Sequence, residues 1–395
     1  MSTLKVDAIR HNSATSDAIT TAADGTCTAK LTSVSGGQLS HRNIIVNGAC
    51  MVAQRGTSST SGGYQTVDRF PAYHTGGAVT QSQGTLTSGT PFDNGLPNYM
   101  RITNTTANTA SDHARSIIYK IEAQDIRHSG WNYKSSSSYI TFSFYVRSSV
   151  NQQFYIMART QDGTQLAYPF SIGTLSADTW TKVTHSIPGN SNLTFDNNSD
   201  RGLEFFIYAA LGTDFTSSSV SLNTWGAYTS SARLPDYANT WASTTNSTFD
   251  ITGLQLEVGD TATSFEHRTY QEEILRCMRY YQQITGDDRG YNGATGSTGS
   301  FKNSVIGIYN GVTDVRAVYY HMVPMRDEPT LTVLGAMSDF DLEPHDRAPS
   351  SISMNRAGVY QSTLIITDSG SATKGDACLV TIDNAAGGLA FSAEL

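Results

Sequence analysis

Between residues 41 and 266 the chain alternates short apolar runs with polar loops, the pattern of strands in a half-buried sheet. Ile44-Ile45-Val46 opens the series. From Tyr139 to Val146, the side chains of Ile140, Phe142, Phe144 and Val146 share one face, with Thr141 and Ser143 on the other. Phe154 to Ala158 and Leu203 to Ala209 are further strand candidates, and Thr179-Trp-Thr-Lys-Val183 places Trp180 in a strand pattern as a core residue. Phe249, Ile251, Leu254, Leu256 and Val258 close the region, and Gly253 breaks their alternation as a bulge would. Pro188-Gly189 is a turn signal, and Gly, Ser, Asn and Asp fill the loops. No helical period separates the strands, so an antiparallel sandwich or jelly roll is expected over 41–266 and not a parallel βαβ sheet.

One helix is expected over 267–285. Thr269 can cap it with Glu272 completing a capping box, and Ile274, Cys277, Met278 and Tyr281 fall on one stripe. Glu272 and Arg276 are an i,i+4 pair on the exposed side, and Gly286 offers a stop. Beyond it, 286–395 reads as a smaller C-terminal β-sandwich. Its strands are Val305–Tyr309, Val315–Val323, Thr330–Leu334, Gln361–Thr367, Ala377–Ile382 and Leu389–Ala393. Residues 1–40 have little to bury and cannot offset their own ordering entropy, which suits a segment that attaches to another protein or to copies of itself. The fold class is therefore mainly β: a jelly roll and a smaller sandwich joined by one helix.

Composition narrows the function. Only 15% of residues are charged and the formal net charge is −8, so the chain lacks the basic stripe that phosphate neutralisation needs and no nucleic-acid partner is expected. Cys27, Cys50, Cys277 and Cys378 form no CxxC pair and suit small buried hydrophobes in a reducing cytosol. No run is apolar enough for a signal peptide or a bilayer span, and no membrane insertion is expected.

Several segments carry more specific information. Asn43-Ile-Ile-Val-Asn-Gly-Ala-Cys-Met-Val-Ala-Gln-Arg-Gly56 with Val67-Asp-Arg-Phe70, Ile251-Thr-Gly-Leu-Gln-Leu-Glu-Val-Gly259, and Phe265-Glu-His-Arg-Thr-Tyr270 running into Arg279-Tyr-Tyr-Gln282 together resemble phage tail-fibre and virion structural proteins of the marine phage type. Met1-Ser-Thr-Leu-Lys-Val, His11-Asn-Ser-Ala14, Val323-Pro-Met-Arg326 with Pro329-Thr330, and Leu389-Ala-Phe-Ser-Ala-Glu-Leu395 are similar to the same group. The resemblance implies a carbohydrate-binding-like jelly roll in which Asn47-Gly48 and Gln255-Leu256-Glu257 lie side by side. It implies a homotrimer, made in the host cytoplasm and carried on the virion, that joins other tail or virion proteins through residues 1–40 and contacts a host cell-surface glycan. A structural calcium near the junction is a family feature, for which Glu257 and Asp260 supply the carboxylates here. A purely structural tail-tip, head-fibre or connector protein is the alternative, and a glycan-degrading spike a further one.

Catalytic patterns are sparse. Asp287-Asp288 in a Gly-rich loop reads as a solvated turn, and Asp339, Asp341 and Glu343 alternate as a strand would place them on one side. Neither supplies by sequence the carboxylate spacing of a glycosidase, and no HExxH, GxSxG or phosphate loop is present, so the expectation is a non-enzyme. Sugar binding asks for displayed aromatic faces beside amide and carboxylate groups. Trp131, Tyr133, Trp225, Tyr228, Tyr237 and Trp241 stand in polar, loop-like surroundings and are the candidates, with the loops near Tyr291–Phe301 and Asp339–His345 as another receptor surface.

Overall fold

The computed structural model describes residues 6–10, 19–21, 23, 27–29, 41–286, 303–384 and 386–395. The fold is mainly β, and every ladder between its strands is antiparallel. Two six-stranded sheets face each other in the jelly roll. The front sheet runs Gly226–Ala227, Leu166–Leu175, Gln152–Thr160, Arg201–Leu211, Ala114–Glu122, Ala72–Thr75. The back sheet runs Thr181–Pro188, Tyr139–Ser148, Ser247–Val258, Asn98–Asn104, Val79–Thr85, Ser58–Ser59. Ile140, Phe142, Phe144 and Val146 point inward from the back sheet, as their alternation requires, against Phe205, Ile207, Phe154 and Ile156 from the front. The short strands Ala8–Ile9, Ile19–Thr21 and Cys27–Ala29 form a separate small sheet.

Gly253 is the bulge that the broken alternation predicts. Its φ is +64°, and the ladder to Tyr139–Ser148 shifts register between Thr252 and Gln255. Phe249 and Ile251 face the core before it and Leu254 and Leu256 after it, so one extra residue keeps both halves of a twelve-residue strand apolar side in. The turn at Asn47-Gly48 docks on this bulge: Leu254 N donates to Gly48 O at 2.9 Å, and Asn43 Nδ2 to Leu254 O at 2.9 Å. The two segments expected to be neighbours are neighbours.

Ile44-Ile45-Val46 is not a strand. Only Ile44 N reaches Leu256 O, while the Asn43 side chain takes Ile45 N and Leu256 N at 3.0 Å each, and Val46–Ala49 turn away. The helix is also shorter than 267–285. It spans Tyr270–Met278, with Thr269 Oγ1 accepting from Glu272 N at 3.2 Å and Glu272 paired to Arg276 at 3.1 Å. Tyr281–Thr285 is a strand instead, because an aromatic and β-branched run finds a ladder partner in Gly388–Ser392. Trp180 precedes its strand and lies half-buried outside the back sheet, edge-on to Tyr99 at 5.8 Å and under Arg147.

The C-terminal sandwich packs that three-stranded sheet, completed by Thr330–Leu334, against a six-stranded one: Phe340–Glu343, Ala377–Ile382, Asn303–Tyr309, Asp314–Tyr320, Gln361–Asp368, Pro349–Arg356. Val305, Val315, Leu364, Val380 and Phe391 fill the space between them. Cys50, Cys277 and Cys378 are buried free thiols.

The two sandwiches meet over a buried ion cluster. The Arg69 guanidinium is 1% exposed, lies 3.4 Å from the centroid of Tyr280, donates to Lys120 O at 2.8 Å and pairs with Glu394. Arg279 grips buried Glu122 at 2.8 and 2.7 Å, and Tyr280 OH adds a third bond to that carboxylate at 2.6 Å. Gln54 and Gln283 side chains exchange bonds with the opposite backbone, at 3.0 Å to Tyr281 O and 2.6 Å to Gln54 O.

Two outcomes follow from this architecture. A Cβ on Gly48 would sit 2.1 Å from Leu254 O, a backbone atom, so Gly48→Ala should lower stability in urea unfolding by about 1–3 kcal/mol. In the C-terminal core, burial alone would raise the Asp368 carboxyl, but Arg347, Tyr309 and Gly370 N–H outweigh it and hold it at about 2. Folding therefore favours the charged form, a contribution complete above the ordinary carboxyl range near 4 and lost as pH falls toward 2. Unfolding curves of the wild type should lose stability more steeply across that window than those of Asp368→Asn.

Candidate functional site

The outward positions of the front sheet form the site. On Arg201–Leu211 the residues facing away from the core are Glu204, Phe206 and Tyr208. Register places them opposite Lys120, Ile118 and Ser116 on one neighbour and opposite Arg159, Met157 and Tyr155 on the other. The segment after Leu211 folds back over one half of this face, where Phe215, Leu222, Leu234 and Tyr237 cover Tyr155, Met157 and Tyr208. The other half stays open as a groove of about 300 Å³ lined by Tyr73, Ser116, Ile118, Arg159, Phe206, Tyr228 and Arg233 among others.

The groove is stiff before anything enters it. Glu204, only 1% exposed, accepts from Arg159 Nε at 3.1 Å and Nη2 at 2.6 Å, from Arg201 Nη1 at 3.1 Å and from the Gln161 amide. Held this way, the Arg159 guanidinium lies between two rings, 4.8 Å from the centroid of Phe206 and 4.7 Å from that of Tyr228. Beside this stack, the Ser116 hydroxyl is buried and has no hydrogen-bond partner, and the Tyr208 hydroxyl, on the residue that faces it across the ladder, is buried beside the Arg233 guanidinium. Burial pushes the Tyr208 phenol up to about 12, with Arg233 working against the rise, so it stays a protonated donor at neutral pH. An aromatic shelf, a fixed cation, an unspent serine hydroxyl and a buried phenol suit a polyhydroxylated ligand with apolar faces. Glu204 is the one carboxylate among the groove's described lining residues.

The residues singled out in the sequence are scattered. Tyr228 is a wall of the groove, whereas Tyr237 lies in the segment that covers the closed half of the face, 5.1 Å from Tyr155. Trp131 and Trp241 are 3% and 0% exposed and belong to the core, which corrects their placement as displayed rings. Tyr133 and Trp225 are half-buried against that core, Tyr133 on Phe195 at 5.0 Å and Trp225 on Tyr168 at 5.3 Å with its Nε1 donating to Pro188 O at 2.7 Å. Phe206, Tyr208, Arg159, Glu204 and Ser116 were not singled out. For Glu204, Phe206 and Tyr208 the signal is in the strand Arg201–Leu211 itself, where they alternate with Leu203, Phe205 and Ile207 and so take the opposite face.

The proposed calcium ligands do not fit a cation. Both oxygens of buried Glu257 are taken by protein donors: Gln255 Nε2 and Thr263 N at 2.8 Å each on Oε1, and Thr263 Oγ1 at 2.7 Å on Oε2, with Arg42 at 3.9 Å. Asp260 is exposed and bonded to Thr261. A guanidinium and an amide stand where a divalent ion would. Of the acidic groups, Asp287-Asp288 and the stretch Tyr291–Phe301 lie outside the described residues. Asp339 departs from its expected company and accepts from Ala336 N at 2.7 Å. Asp346 joins Asp341 and Glu343 instead, with carboxylate oxygens within 4.8 Å of one another.

No protein-family model matches the chain, and no curated protein does. Solved structures that align with it include a phage tailspike domain and carbohydrate-binding modules. The tailspike protein 4 enzymatically active domain of bacteriophage CBA120 aligns at TM-score 0.29 and 12% identity over 55% of this chain and 21% of that chain, so the match spans about a fifth of the tailspike's length. A xylan-binding domain from Paenibacillus barcinonensis aligns at 0.25 and 10% identity over 52% of this chain and 94% of that one. A family 11 carbohydrate-binding module from Clostridium thermocellum, in complex with a mixed-linked tetrasaccharide, aligns at 0.24 and 13% identity over 53% and 98%. Alignments this loose carry no argument about ligand or partner. The fold rests on the strand order itself.

Proposed function

We propose that the protein binds glycans without cleaving them, through the groove on the front sheet. The observation that carries this is the Phe206–Arg159–Tyr228 stack beside the partnerless hydroxyl of Ser116 and the buried phenol of Tyr208. Pyranose C–H faces pack on rings, and buried hydroxyls without partners gain their full hydrogen-bond value only when a ligand supplies one. A lone, fully committed carboxylate is poorly suited to glycoside hydrolysis, which uses a pair. The wider role we infer is that of a phage tail fibre or related virion appendage, made in the host cytoplasm and attached to other virion proteins through residues 1–40. This part rests on the sequence motifs from Asn43 to Gly56 and Phe265 to Gln282. Many weak sugar contacts, repeated by identical chains, add up to firm attachment.

Self-association into a homotrimer belongs to the same reading. Its support is the outer face of the six-stranded C-terminal sheet, where Ile306, Ile308 and Tyr320 are 73%, 56% and 71% exposed.

Binding of the purified chain to an array of bacterial-surface and plant glycans should identify positives. Phe206→Ala and Tyr228→Ala should each weaken binding about tenfold, equivalent to about 1.4 kcal/mol, with unchanged circular dichroism. Binding that persists undiminished in both variants would remove the groove from the mechanism. Light scattering should give three times the 42.6 kDa chain mass, and Ile308→Glu should shift it downward. A monomer at micromolar concentration would refute the trimer.

A further inference from the structure

Resting on the glycan reading above, we propose that the groove selects acidic glycans, those carrying uronate, sialate or similarly anionic sugars, over neutral ones. Four cationic side chains line it, Lys120, Arg159, Arg201 and Arg233, against the single carboxylate of Glu204. The Lys120 ammonium is turned away toward Leu395 O and the ring of Tyr64 at 5.5 Å, so it contributes little to the open space. Of the three guanidiniums that remain, Glu204 neutralises the equivalent of one. The groove thus keeps an excess of about two positive charges in a chain whose formal net charge is −8.

That excess is placed and held in position. Arg159 is fixed by two bonds to Glu204 and by the rings on either side of it. Arg233 is held by its Nε bond to Ser230 O at 2.9 Å and by the Phe215 ring, 4.4 Å from its guanidinium carbon. Arg201 gives Nη1 to Glu204 and leaves 45% of its side chain exposed at the groove's edge. Planar guanidiniums pair with carboxylates through two parallel bonds, and their fixed geometry means little entropy is lost when they do. A neutral glycan would have to leave these cations half-desolvated and unmatched, which is the physical basis of selection against it.

The experiment is affinity electrophoresis of the full chain through gels containing polygalacturonate, alginate, hyaluronan or polysialic acid, and through gels containing dextran, xylan or galactomannan. Each is run at about 50 and 300 mM salt, with polyaspartate as a charge-only control. The expected result is retardation at least tenfold stronger by one or more acidic glycans, weakened by salt and absent with polyaspartate. The double variant Arg201→Gln with Arg233→Gln should lose that preference, and Phe206→Ala should weaken retardation by every glycan about tenfold. Equal, salt-insensitive binding of neutral glycans would overturn the charge selection and leave the glycan reading standing. Retardation by polyaspartate as strong as by any glycan would reduce the groove to a polyanion trap and overturn the selection. Retention by none of the polysaccharides would overturn both readings.

Discussion

The structure depends on a guanidinium that water cannot reach. Arg69 sits between the two sandwiches with Tyr280 against its face, Glu394 at one end and Lys120 O at the other. Burying such a group costs several kcal/mol unless its charge and donors are met. The chain meets them with residues drawn from positions 69, 120, 280 and 394, so the site is complete only when the jelly roll, the helix end and the last strand have all arrived. Around it, Glu122 collects Arg279, Tyr280 and Gln124, and Asp68 collects Arg55 and Gln54. Several of the segments that carry the tail-fibre resemblance end at this joint: 43–56, 67–70, 265–282 and 389–395. Those motifs describe how the two units are fastened, and the groove lies elsewhere.

This separation explains what the sequence could tell. Strands such as Tyr139–Ser148 and the bulge at Gly253 were legible because their signals are local, an alternation or its interruption within ten residues. The Thr269 cap was legible for the same reason. Tyr281–Thr285 was misread because its periodicity continued the helical stripe, and its strand partner lies more than a hundred residues downstream. The tryptophans misled for a related reason. Polar neighbours in sequence suggested display, yet Trp241 follows Asn239 and Thr240 directly into the core, where Gln152 Oε1 accepts its backbone N–H at 2.8 Å. The groove was illegible because it is a product of register. Phe206, Arg159 and Ser116 are far apart in the chain and become adjacent only when three strands pair in one alignment.

The groove and the joint solve similar problems in different ways. At the joint, charge is sealed so that the units hold one geometry. In the groove, charge is pinned along one side and left open on the other. Glu204 orders Arg159 before any ligand arrives, so a ligand meets a side chain whose rotamer entropy has already been spent in folding. The same carboxylate is thereby unavailable for proton transfer, which links the stiffness of the site to its expected lack of chemistry.

The way the units are fastened has a mechanical side. They are joined at several places, among them the Gln54–Gln283 exchange, Arg279 on Glu122, Arg326 Nη1 on Ser199 O at 2.9 Å, and Glu394 between Arg55 and Arg69. A pull on one sandwich is therefore shared among several short polar contacts before it reaches the other. The direction in which the groove points is then tied to the orientation of the C-terminal sandwich, much as the aim of a bracket is set by the wall it is bolted to.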